Sequence, residues 1–400
     1  MPSIEMIYGR FISLIMNAMF NLKKKFLLDP SVTFLNHGSF GATPKPVFAE
    51  YQRWQRELEN QPVEFLGRRF NDLMCSARES LATYLGTSAQ NVIYAQNVTV
   101  ALNIVARSLE LGVGDEVLSS NHEYGAMDRT WRFLAKEHGF AYINQPVDLT
   151  SVDAFVDSFW RGVTAKTRVI FLSHITSPTA TIFPVKEIIQ RAREKNILTI
   201  IDGAHVAGQI PLNLDELGAD FYGGNLHKWL CAPKGAGFLY ARPEVQHLLK
   251  PLVVSWGYEP ELPGESAFID QNEWWGTRDV AAFLTVPMAI QFQQDQDWAK
   301  VRAACHRLAV ETWKRIHVLT GIAPLHASRD PETWFAQMTV STLPADTDIA
   351  WLKTKLYDEY RIEIPVIAWN EKKLIRLSVQ GYNSKHDMDH LLLALENLLK

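Results

Sequence analysis

The chain has 400 residues, of which 47% are hydrophobic and 21% charged, a balance typical of a globular enzyme of two or three domains. Its formal net charge of −4 provides no polybasic surface, which argues against a nucleic-acid-binding protein. The 3 cysteines have no CxxC spacing, so neither a zinc site nor a disulfide framework is predicted, and a reducing, cytoplasmic setting is expected.

An apolar stretch near the N-terminus runs from Phe11 to Leu22, is interrupted by asparagines and is followed by lysines. A helix needs about 20 apolar residues to cross a bilayer, and a signal peptide carries its positive charge before the apolar stretch. Because neither pattern is met, we predict no membrane association. Residues 1–35 are expected to form an N-terminal arm, either as a helix packed on the surface or partly as an extension upstream of the true start.

Short apolar runs alternate with helical patterns between about residues 90 and 240. This alternation predicts a mostly parallel sheet covered by helices on both faces. Ligands of such sheets bind at the carboxyl ends of the strands, so the polar residues that follow each strand are the candidates for a site. The predicted strands are Glu116–Ser119, Ala141–Asn144, Arg168–Leu172, Leu198–Ile201, Phe221–Gly223 and Gly237–Tyr240, and the helices between them include Tyr124–Glu137 and Val185–Lys195.

The pattern changes after Val280, where longer helical segments begin. Two long helices are predicted first, followed by a smaller alternation of strands and a closing helix. These segments indicate a second, smaller α/β domain. The predicted helices are Ala281–Gln296, Val301–Thr320 and Asp387–Leu399, and the predicted strands are Phe335–Ser341 and Lys373–Val379.

Two segments carry the strongest chemical signals. In ILTIIDGAHVAG, Asp202 follows a buried strand and His205 comes three residues later. Asp202 is either a helix N-cap or the partner of a protonated pyridine nitrogen. In ADFYGGNLHKWLCAPKGAGFLY, Lys228 lies between apolar neighbours that would lower its pKa, as a Schiff-base lysine requires. The alternative for Lys228 is an exposed lysine on a loop.

Three further strand ends carry polar or aromatic candidates. In YAQNVTVALNIVARSL, Asn97 and Thr99 begin a helix whose N-terminus could bind an anion, although a simple N-cap is the alternative. Tyr124 in SSNHEYGAM could stack on an aromatic ring. Thr176 or His174, which follow the Arg168–Leu172 run, could reach a phenolic oxygen. Each of these residues is equally compatible with an ordinary loop position.

Taken in this order, the segments resemble the class V aminotransferase family of fold-type I pyridoxal-phosphate enzymes over about residues 33–385. The runs LNHGSFG, QPVEFLGRR and NHEYGA are most similar to the isopenicillin N epimerase-like members. The resemblance implies a large cofactor-binding domain at residues 36–285, with a mostly parallel seven-stranded sheet. It also implies a smaller α/β C-terminal domain at residues 286–400, against which the first part of the large domain packs.

The resemblance further implies that pyridoxal 5'-phosphate is the cofactor, with Lys228, Asp202 and His205 as the catalytic residues. Lys228 would bind the cofactor covalently, Asp202 would contact its pyridine nitrogen, and His205 would lie near its phenolic oxygen. The other implied cofactor ligands are Asn97, Val98, Thr99, Tyr124, Thr176, Asn225, His227 and, from the neighbouring subunit of a homodimer with shared active sites, Thr277. For the substrate, the resemblance implies Arg376 as the ligand of the α-carboxylate, Asn36, His37 and Phe40 at the entrance, and Arg68 as the ligand of a second carboxylate.

The expected reaction occurs at the α-carbon of an amino-acid substrate through an external aldimine, after which the freed Lys228 abstracts the α-proton. Return of the proton to the opposite face gives epimerisation, which the resemblance favours. Loss of a β- or γ-substituent would make the protein a carbon–sulfur lyase, and protonation at the cofactor would make it a transaminase. The residues leave these three outcomes open. No cysteine follows Cys305, so the nucleophile that cysteine-desulfurating members carry before the carboxylate-binding arginine is missing.

Two other classes of function are considered. A non-catalytic binder that keeps the fold would not need Lys228, Asp202 and Arg376 together. A metal hydrolase would need a ligand set, and the histidines that follow separate strands form no HxxxH pair and have no carboxylate at familiar ligand spacing, so no metal site is predicted. These histidines are His122, His174, His205 and His227.

Overall fold

The computed structural model describes residues 22–264, 266–326 and 330–399. Most of the first 250 residues surround a seven-stranded sheet with strand order β2-β8-β7-β6-β5-β3-β4. In chain order, the strands of the described residues are β1 (Thr33–Phe34), β2 (Val92–Ala95), β3 (Glu116–Ser120), β4 (Ala141–Gln145), β5 (Thr167–Ser173), β6 (Leu198–Gly203), β7 (Phe221–Asn225), β8 (Gly237–Ala241), β9 (Met338–Leu343), β10 (Ile362–Glu363), β11 (Val366–Trp369) and β12 (Lys372–Ser378).

The large sheet is mostly parallel. Strands β3 to β7 pair in parallel, whereas β8 runs antiparallel to both of its neighbours, β2 and β7. Side chains alternate between the two faces of a strand. In β5, Val169 and Phe171 join one buried cluster, while Ile170 and Leu172 join the other. Both faces are therefore covered, and the predicted mostly parallel seven-stranded sheet is confirmed.

Helices pack against the large sheet, and further helices lie in the segment of the chain before its first strand. The helix Val98–Ser108 contacts β7 and β8 with its apolar side, which includes Leu102 and Val105. The remaining α-helices of this part are His37–Phe40, Lys45–Asn60, Phe70–Leu85, Gly125–His138, Val152–Trp160, Val185–Glu194, Leu214–Leu217 and Ala267–Glu273, with short turns of other helix types at Glu64–Arg68, Ala89–Asn91 and Pro243–Leu248.

The C-terminal part contains a small antiparallel sheet with strand order β11-β12-β9. Strand β1 pairs in parallel with β10, so residues of the predicted N-terminal arm contact the C-terminal part. This arrangement agrees with the predicted smaller α/β unit, and the exact domain boundaries stay a prediction. Its helices are Trp298–Thr320, Ile349–Asp358 and Lys385–Leu398, with a short turn at Pro331–Trp334.

One predicted helix is wrong in its extent. The segment predicted as Ala281–Gln296 forms two helices, Ala281–Leu284 and Val286–Asp295. Pro287 lies at the start of the second helix, where it cannot donate a backbone hydrogen bond to the turn before it, and the helix breaks there. Apart from Leu22, the predicted helical arm over residues 11–22 lies outside the described residues. Within the described ranges, no helix is long and apolar enough to cross a membrane.

Candidate active site

A cavity of about 390 Å³, called the inner cavity below, lies at the carboxyl ends of β5, β6 and β7. Ser173, Asp202 and Asn225 reach it from the ends of these strands. This position is the one expected for ligands of a parallel sheet. The predicted site residues that line the inner cavity are Phe40, Asn97, Val98, Thr99, Tyr124, Asp202, His205, Asn225, His227 and Lys228.

The amine of Lys228 lies inside the inner cavity, 3.3 Å from Nε2 of His205. Burial lowers the pKa of Lys228 from its usual value, and the positive charge of Arg376 lowers it further. Loss of water favours the uncharged amine, which is the form that can attack a carbonyl carbon. The local environment therefore suits Lys228 for a covalent bond to an aldehyde.

His205 has a defined tautomer. The indole Nε1 of Trp229 donates a hydrogen bond to Nδ1 of His205 over 3.2 Å, and an indole nitrogen can only donate. Burial keeps the pKa of His205 well below its usual value, so the imidazole is neutral and carries its proton on Nε2. That N–H points toward Lys228 and can donate to an oxygen in the cavity. The sequence did not predict this role of Trp229.

Asp202 lines the inner cavity, and its side chain is almost fully buried. Its Oδ1 accepts a hydrogen bond from the backbone N–H of Ala204 at 2.9 Å, whereas Oδ2 is buried without a partner among the described residues. Burial raises the pKa of Asp202 above its usual value. A buried acceptor without a donor is costly. A protonated pyridine nitrogen would supply the donor, so Asp202 fits the predicted cofactor.

The first turn of the helix Val98–Ser108 also lines the inner cavity. Oδ1 of Asn97 accepts from the N–H of Val100 at 3.0 Å, and Oδ1 of Asn225 accepts from the N–H of Val98 at 2.9 Å. These contacts fix the helix start, and the helix dipole favours an anion there. The absence of a side chain at Gly237 permits the close approach of β8, since a Cβ atom would lie 2.8 Å from Cα of Asn97.

Arg376 lies on β12 and contacts two serines that line the inner cavity, although it does not line that cavity itself. Its Nη1 donates to the carbonyl oxygen of Ser177 at 2.7 Å, and its Nη2 donates to Oγ of Ser39 at 3.0 Å. The Nε atom is buried without a partner among the described residues. Burial lowers the pKa of Arg376 to about 10, so the guanidinium stays charged at pH 7. Ser39 and Ser177 are wall residues that the sequence did not predict.

Six predicted residues do not line the inner cavity: Arg376, described above, and five others. Thr176 is fully buried behind its wall, where its hydroxyl lies 2.7 Å from that of Thr179 and accepts from the N–H of Thr181. His37 lies behind Lys228 and contacts its backbone rather than the cavity. The other three are Asn36, whose side chain donates to Glu363, Arg68, which lines a separate cavity, and Thr277, which is exposed.

Glu123 is a buried acid that the sequence did not predict as part of the site. One carboxyl oxygen accepts from the N–H and the hydroxyl of Ser173 at 2.9 and 2.6 Å, and the other lies 2.5 Å from the hydroxyl of Ser120. Burial raises the pKa of Glu123 to about 8, so the carboxyl group is protonated at neutral pH. Glu123 therefore fixes Ser173 in the cavity wall. Its position directly before Tyr124 in NHEYGA was the available signal.

Within the described ranges, no three His, Cys, Asp or Glu side chains are placed to bind one metal ion. The histidines considered above have other contacts: His122 lies 2.8 Å from Thr179, and His174 lies 3.1 Å from Tyr222. Cys231 and Cys305 are buried free thiols, and burial raises the pKa of each to about 12. Neither thiol is suited to act as a nucleophile.

The sequence matches known proteins along almost its whole length. A family model described as aminotransferase class-V matches residues 39–391. An isopenicillin N epimerase from Amycolatopsis lactamdurans is 36% identical, with 95% of this chain and 98% of that protein covered. An isopenicillin N epimerase from Streptomyces clavuligerus is 34% identical, with coverages of 94% and 96%. A hercynylcysteine sulfoxide lyase from Schizosaccharomyces pombe is 26% identical, with coverages of 72% and 76%.

The fold also matches solved structures. A mutant of C-DES with glycine covalently linked to its PLP cofactor superposes with a TM-score of 0.84 at 23% identity, covering 94% of this chain and 99% of that one. At this identity the match establishes the fold. It agrees with the predicted fold type, a large sheet domain that carries a smaller C-terminal α/β unit.

Proposed function

We propose, from the premise that this chain belongs to the class V aminotransferase family and is a pyridoxal-phosphate-dependent enzyme, that it inverts the configuration at the α-carbon of an amino-acid substrate. The observation that carries the proposal is the identity of 36% and 34% to two isopenicillin N epimerases over 95% and 94% of the chain. Inversion requires a base near the α-carbon and a residue that binds and orients the substrate. Lys228 in the inner cavity is the candidate base, and Arg376, which contacts two serines of the cavity wall, is the candidate substrate ligand.

The roles of the cavity residues follow from their surroundings. Bound pyridoxal phosphate supplies an electron sink that withdraws the electron pair left when the α-proton departs. Lys228 accepts that proton, since burial favours its uncharged amine. Asp202 would hold a proton on the pyridine nitrogen through its otherwise unpartnered Oδ2, and His205 would donate from Nε2 to the phenolic oxygen. For inversion, the α-carbon would take a proton from solvent on its opposite face.

Substrate orientation is assigned to Arg376. Its planar guanidinium matches the geometry of a carboxylate, which a lysine ammonium does not. Two of its nitrogen atoms are held by Ser39 and Ser177, and its charge is retained at neutral pH. A substrate carboxylate at this position would compete with the serine contacts for the guanidinium. The α-carbon would then lie between Arg376 and the amine of Lys228.

A carbon–sulfur lyase is the second candidate, because a hercynylcysteine sulfoxide lyase is 26% identical over 72% of the chain. Such a reaction uses the same base and the same carboxylate ligand, and differs in the loss of a sulfur substituent from the side chain. Transamination, in which the proton returns to the cofactor, stays a third alternative. A reducing, cytoplasmic setting stays a prediction from the cysteine content.

We also propose a homodimer in which Thr277 completes the phosphate site of the partner subunit. Thr277 is exposed and does not line the inner cavity of its own chain. Nearby in sequence, large apolar side chains are exposed, with Trp256 80% and Leu262 91% accessible. Both line a cavity of about 490 Å³ together with Arg68. Exposed apolar residues of this size are typical of a protein interface, and a second copy of the chain would cover them.

The decisive experiment combines cofactor spectroscopy with a screen of amino acids. Each amino acid is incubated with the purified enzyme in D₂O, and α-deuterium incorporation, chirality, keto acid and sulfide are measured together. Inversion with α-deuteration supports the epimerase, release of a sulfur product identifies a lyase, and keto acid formation identifies a transaminase. Lys228→Ala should abolish α-deuteration and the borohydride-reducible bond to the cofactor. Lys234→Ala, a partly buried lysine outside the inner cavity, is the matched control and should retain both.

A further inference from the structure

The two groups assigned to the substrate come from different parts of the fold. The amine of Lys228 lies in the inner cavity, 3.3 Å from Nε2 of His205. Arg376 lies on β12 of the small sheet. A base and a carboxylate ligand act together on one substrate only if their separation is fixed, since a displacement of about 1 Å can cost on the order of 10²-fold in rate. A side chain that links these two parts of the chain therefore affects the rate.

Gln209 forms such a link. Its side chain is almost fully buried, and its amide group makes three hydrogen bonds. Nε2 donates to the carbonyl oxygen of His205 at 2.6 Å. Oε1 accepts from the backbone N–H groups of Gln337 at 3.0 Å and Met338 at 3.2 Å. One amide group thus joins the turn that follows β6 to the first residue of β9.

Strand β9 connects this link to Arg376. β9 pairs with β12, and Val340 lies opposite Arg376. Gln337, directly before β9, adds to the pairing, because its Nε2 donates to the carbonyl oxygen of Val379 at 3.1 Å and its own carbonyl oxygen accepts from the N–H of Val379 at 2.8 Å. Between the carbonyl oxygen of His205 and Arg376, each step is therefore a hydrogen bond or a stretch of paired strand.

The direct contacts of Arg376 are open to competition from the substrate. Its Nη1 and Nη2 donate to Ser177 and Ser39, and a substrate carboxylate would compete for the same nitrogen atoms. Gln209 does not line the inner cavity, so a ligand there leaves its hydrogen bonds in place. We propose that Gln209 is a positioning residue, which fixes the separation between Arg376 and the amine of Lys228 while the substrate is bound. This inference rests on the proposed function, since it takes Arg376 as the ligand of the substrate carboxylate.

The test changes the amide of Gln209 in two ways. Gln209→Met keeps the length of the side chain and removes all three hydrogen bonds. Gln209→Glu can make all three while its carboxyl group is protonated, a form that burial favours, and loses the donor to His205 when it ionises. Asn272→Leu is the matched control, because Asn272 is a buried amide that donates to the carbonyl oxygen of Phe268 at 2.9 Å and does not line the inner cavity.

Hydrogen exchange of the holoenzyme measures the link without any substrate. In Gln209→Met, the backbone amides of β9 and β12 should exchange about tenfold faster than in wild type, because the loss of buried hydrogen bonds lowers the free energy of local opening. In Asn272→Leu, the exchange of these two strands should not change. Unchanged exchange of β9 and β12 in Gln209→Met would overturn the proposal, whichever reaction the enzyme catalyses.

Two probes that differ only in the carboxylate, L-norleucine and pentylamine, separate positioning from stability. The rate of the change in cofactor absorbance and the rate of α-deuteration are measured with each probe. In Gln209→Met, both rates with L-norleucine should fall about 10²-fold, because the α-carbon is displaced from Lys228. The dissociation constant of L-norleucine and the rates with pentylamine should change little, because the guanidinium of Arg376 is intact and the amine does not use it. Relative to wild type at the same pH, Gln209→Glu should retain its rates at pH 6 and lose them at pH 9.

Equal losses with both probes in Gln209→Met would show a role in stability alone and would overturn the proposal. Equal reaction of wild type with both probes would also overturn it, because Arg376 would then not bind the carboxylate. Failure of wild type to invert any amino acid would reject the proposed function alone, and the exchange of β9 and β12 would still decide the role of Gln209. If Gln209→Met does not fold, the comparison of Gln209→Glu at the two pH values decides in the same way.

Discussion

The imidazole of His37 is hydrogen-bonded to the backbone of Lys228, with 2.9 Å between Nε2 and the carbonyl oxygen. Its Nδ1 lies 2.9 Å from the hydroxyl of Tyr382. Since a carbonyl oxygen can only accept, Nε2 carries the proton and Nδ1 accepts from Tyr382. Burial lowers the pKa of His37 to about 3, which keeps the ring neutral. Segments from the beginning and the end of the described chain thus fix the backbone of Lys228.

His37→Ala should destabilise the protein and disturb Lys228, because the carbonyl oxygen of Lys228 loses one of two donors and keeps only the N–H of Cys231. The loss of one hydrogen bond costs about 0.5–1.5 kcal/mol. Denaturant unfolding of the holoenzyme measures the first effect, and the absorbance of the lysine-bound cofactor as a function of pH measures the second. Tyr382→Phe, which keeps the donor to Lys228, is the control and should leave that pH profile unchanged. An unaltered profile in His37→Ala would show that the contact supports stability only.

Asp202→Asn should retain bound cofactor but lose at least about 10²-fold in turnover, because an amide does not stabilise the pyridinium charge. Cofactor absorbance and the rate of α-deuteration are the two measurements. Asp220→Asn is a suitable control, since Asp220 is a buried aspartate that bonds to Thr199 and Arg242 away from the inner cavity. It should lower the melting temperature rather than turnover. Wild-type turnover in Asp202→Asn would place the pyridine ring elsewhere.

Arg376→Lys should weaken substrate binding by about 1.5–3 kcal/mol, because the charge remains while the planar geometry is lost. The absorbance of the cofactor should not change. Binding constants are compared for an amino acid and for the amine that lacks its carboxylate. If both ligands weaken equally, Arg376 does not contact the carboxylate.

Mixing inactive Lys228→Ala with inactive Thr277→Ala should restore part of the activity, if Thr277 serves the partner's site. The mixed dimer then has one site with both lesions and one with neither. A mixture of Lys228→Ala with Asp202→Asn is the control, because both residues line the inner cavity of one chain and every site stays damaged. Absence of recovery in the first mixture, with subunit exchange demonstrated by mass spectrometry, would remove Thr277 from the shared site.

Glu123→Gln should alter the dependence of stability on pH. Burial raises the pKa of Glu123 from 4.5 to about 8, so between these values the folded protein binds more protons than the unfolded chain. Stability therefore falls as the pH rises through this window, and the non-titrating glutamine avoids that loss. Between pH 5 and 8, the free energy of unfolding of the variant should rise by a few kcal/mol relative to that of wild type, since one pKa unit corresponds to about 1.4 kcal/mol. Unfolding midpoints of wild type and variant at pH 5 and 8 measure this difference. Glu137→Gln, at an exposed position, is the control. If the midpoints of wild type and Glu123→Gln change equally between the two pH values, the prediction is contradicted.

The large sheet is predictable from the sequence because its strands are apolar runs bounded by polar residues. Strand β6, for example, is buried over five of its six residues, and its apolar run is visible in LTIID. Strand β2 was not predicted, although VIYA is a fully buried apolar run. The other strands that were not predicted give no such signal. Strands β1 and β10 have two residues each, and β11 is partly exposed. Their pairing depends on distant partners rather than on local sequence.

The candidate site is predictable where a residue lies at the end of a strand or soon after it. Asp202 and Tyr124 reach the inner cavity for this reason. Thr176 does not, because the chain turns back at Ala180, where φ is 55°, and the hydroxyl of Thr176 is used inside that turn. The contacts of Ser39 with Arg376 and of Trp229 with His205 join segments whose proximity only the fold creates.

The pairing of β1 with β10 ties assembly of the active site to the synthesis of a distant segment. Thr33–Phe34 leave the ribosome long before their partners Ile362–Glu363. The large sheet, with all its strands between residues 92 and 241, can form on the nascent chain. The wall that carries Arg376 cannot, since β12 follows β10. A nascent chain therefore passes through a stage with a folded sheet and an open cavity, in which the cofactor site exists before the site for the substrate carboxylate.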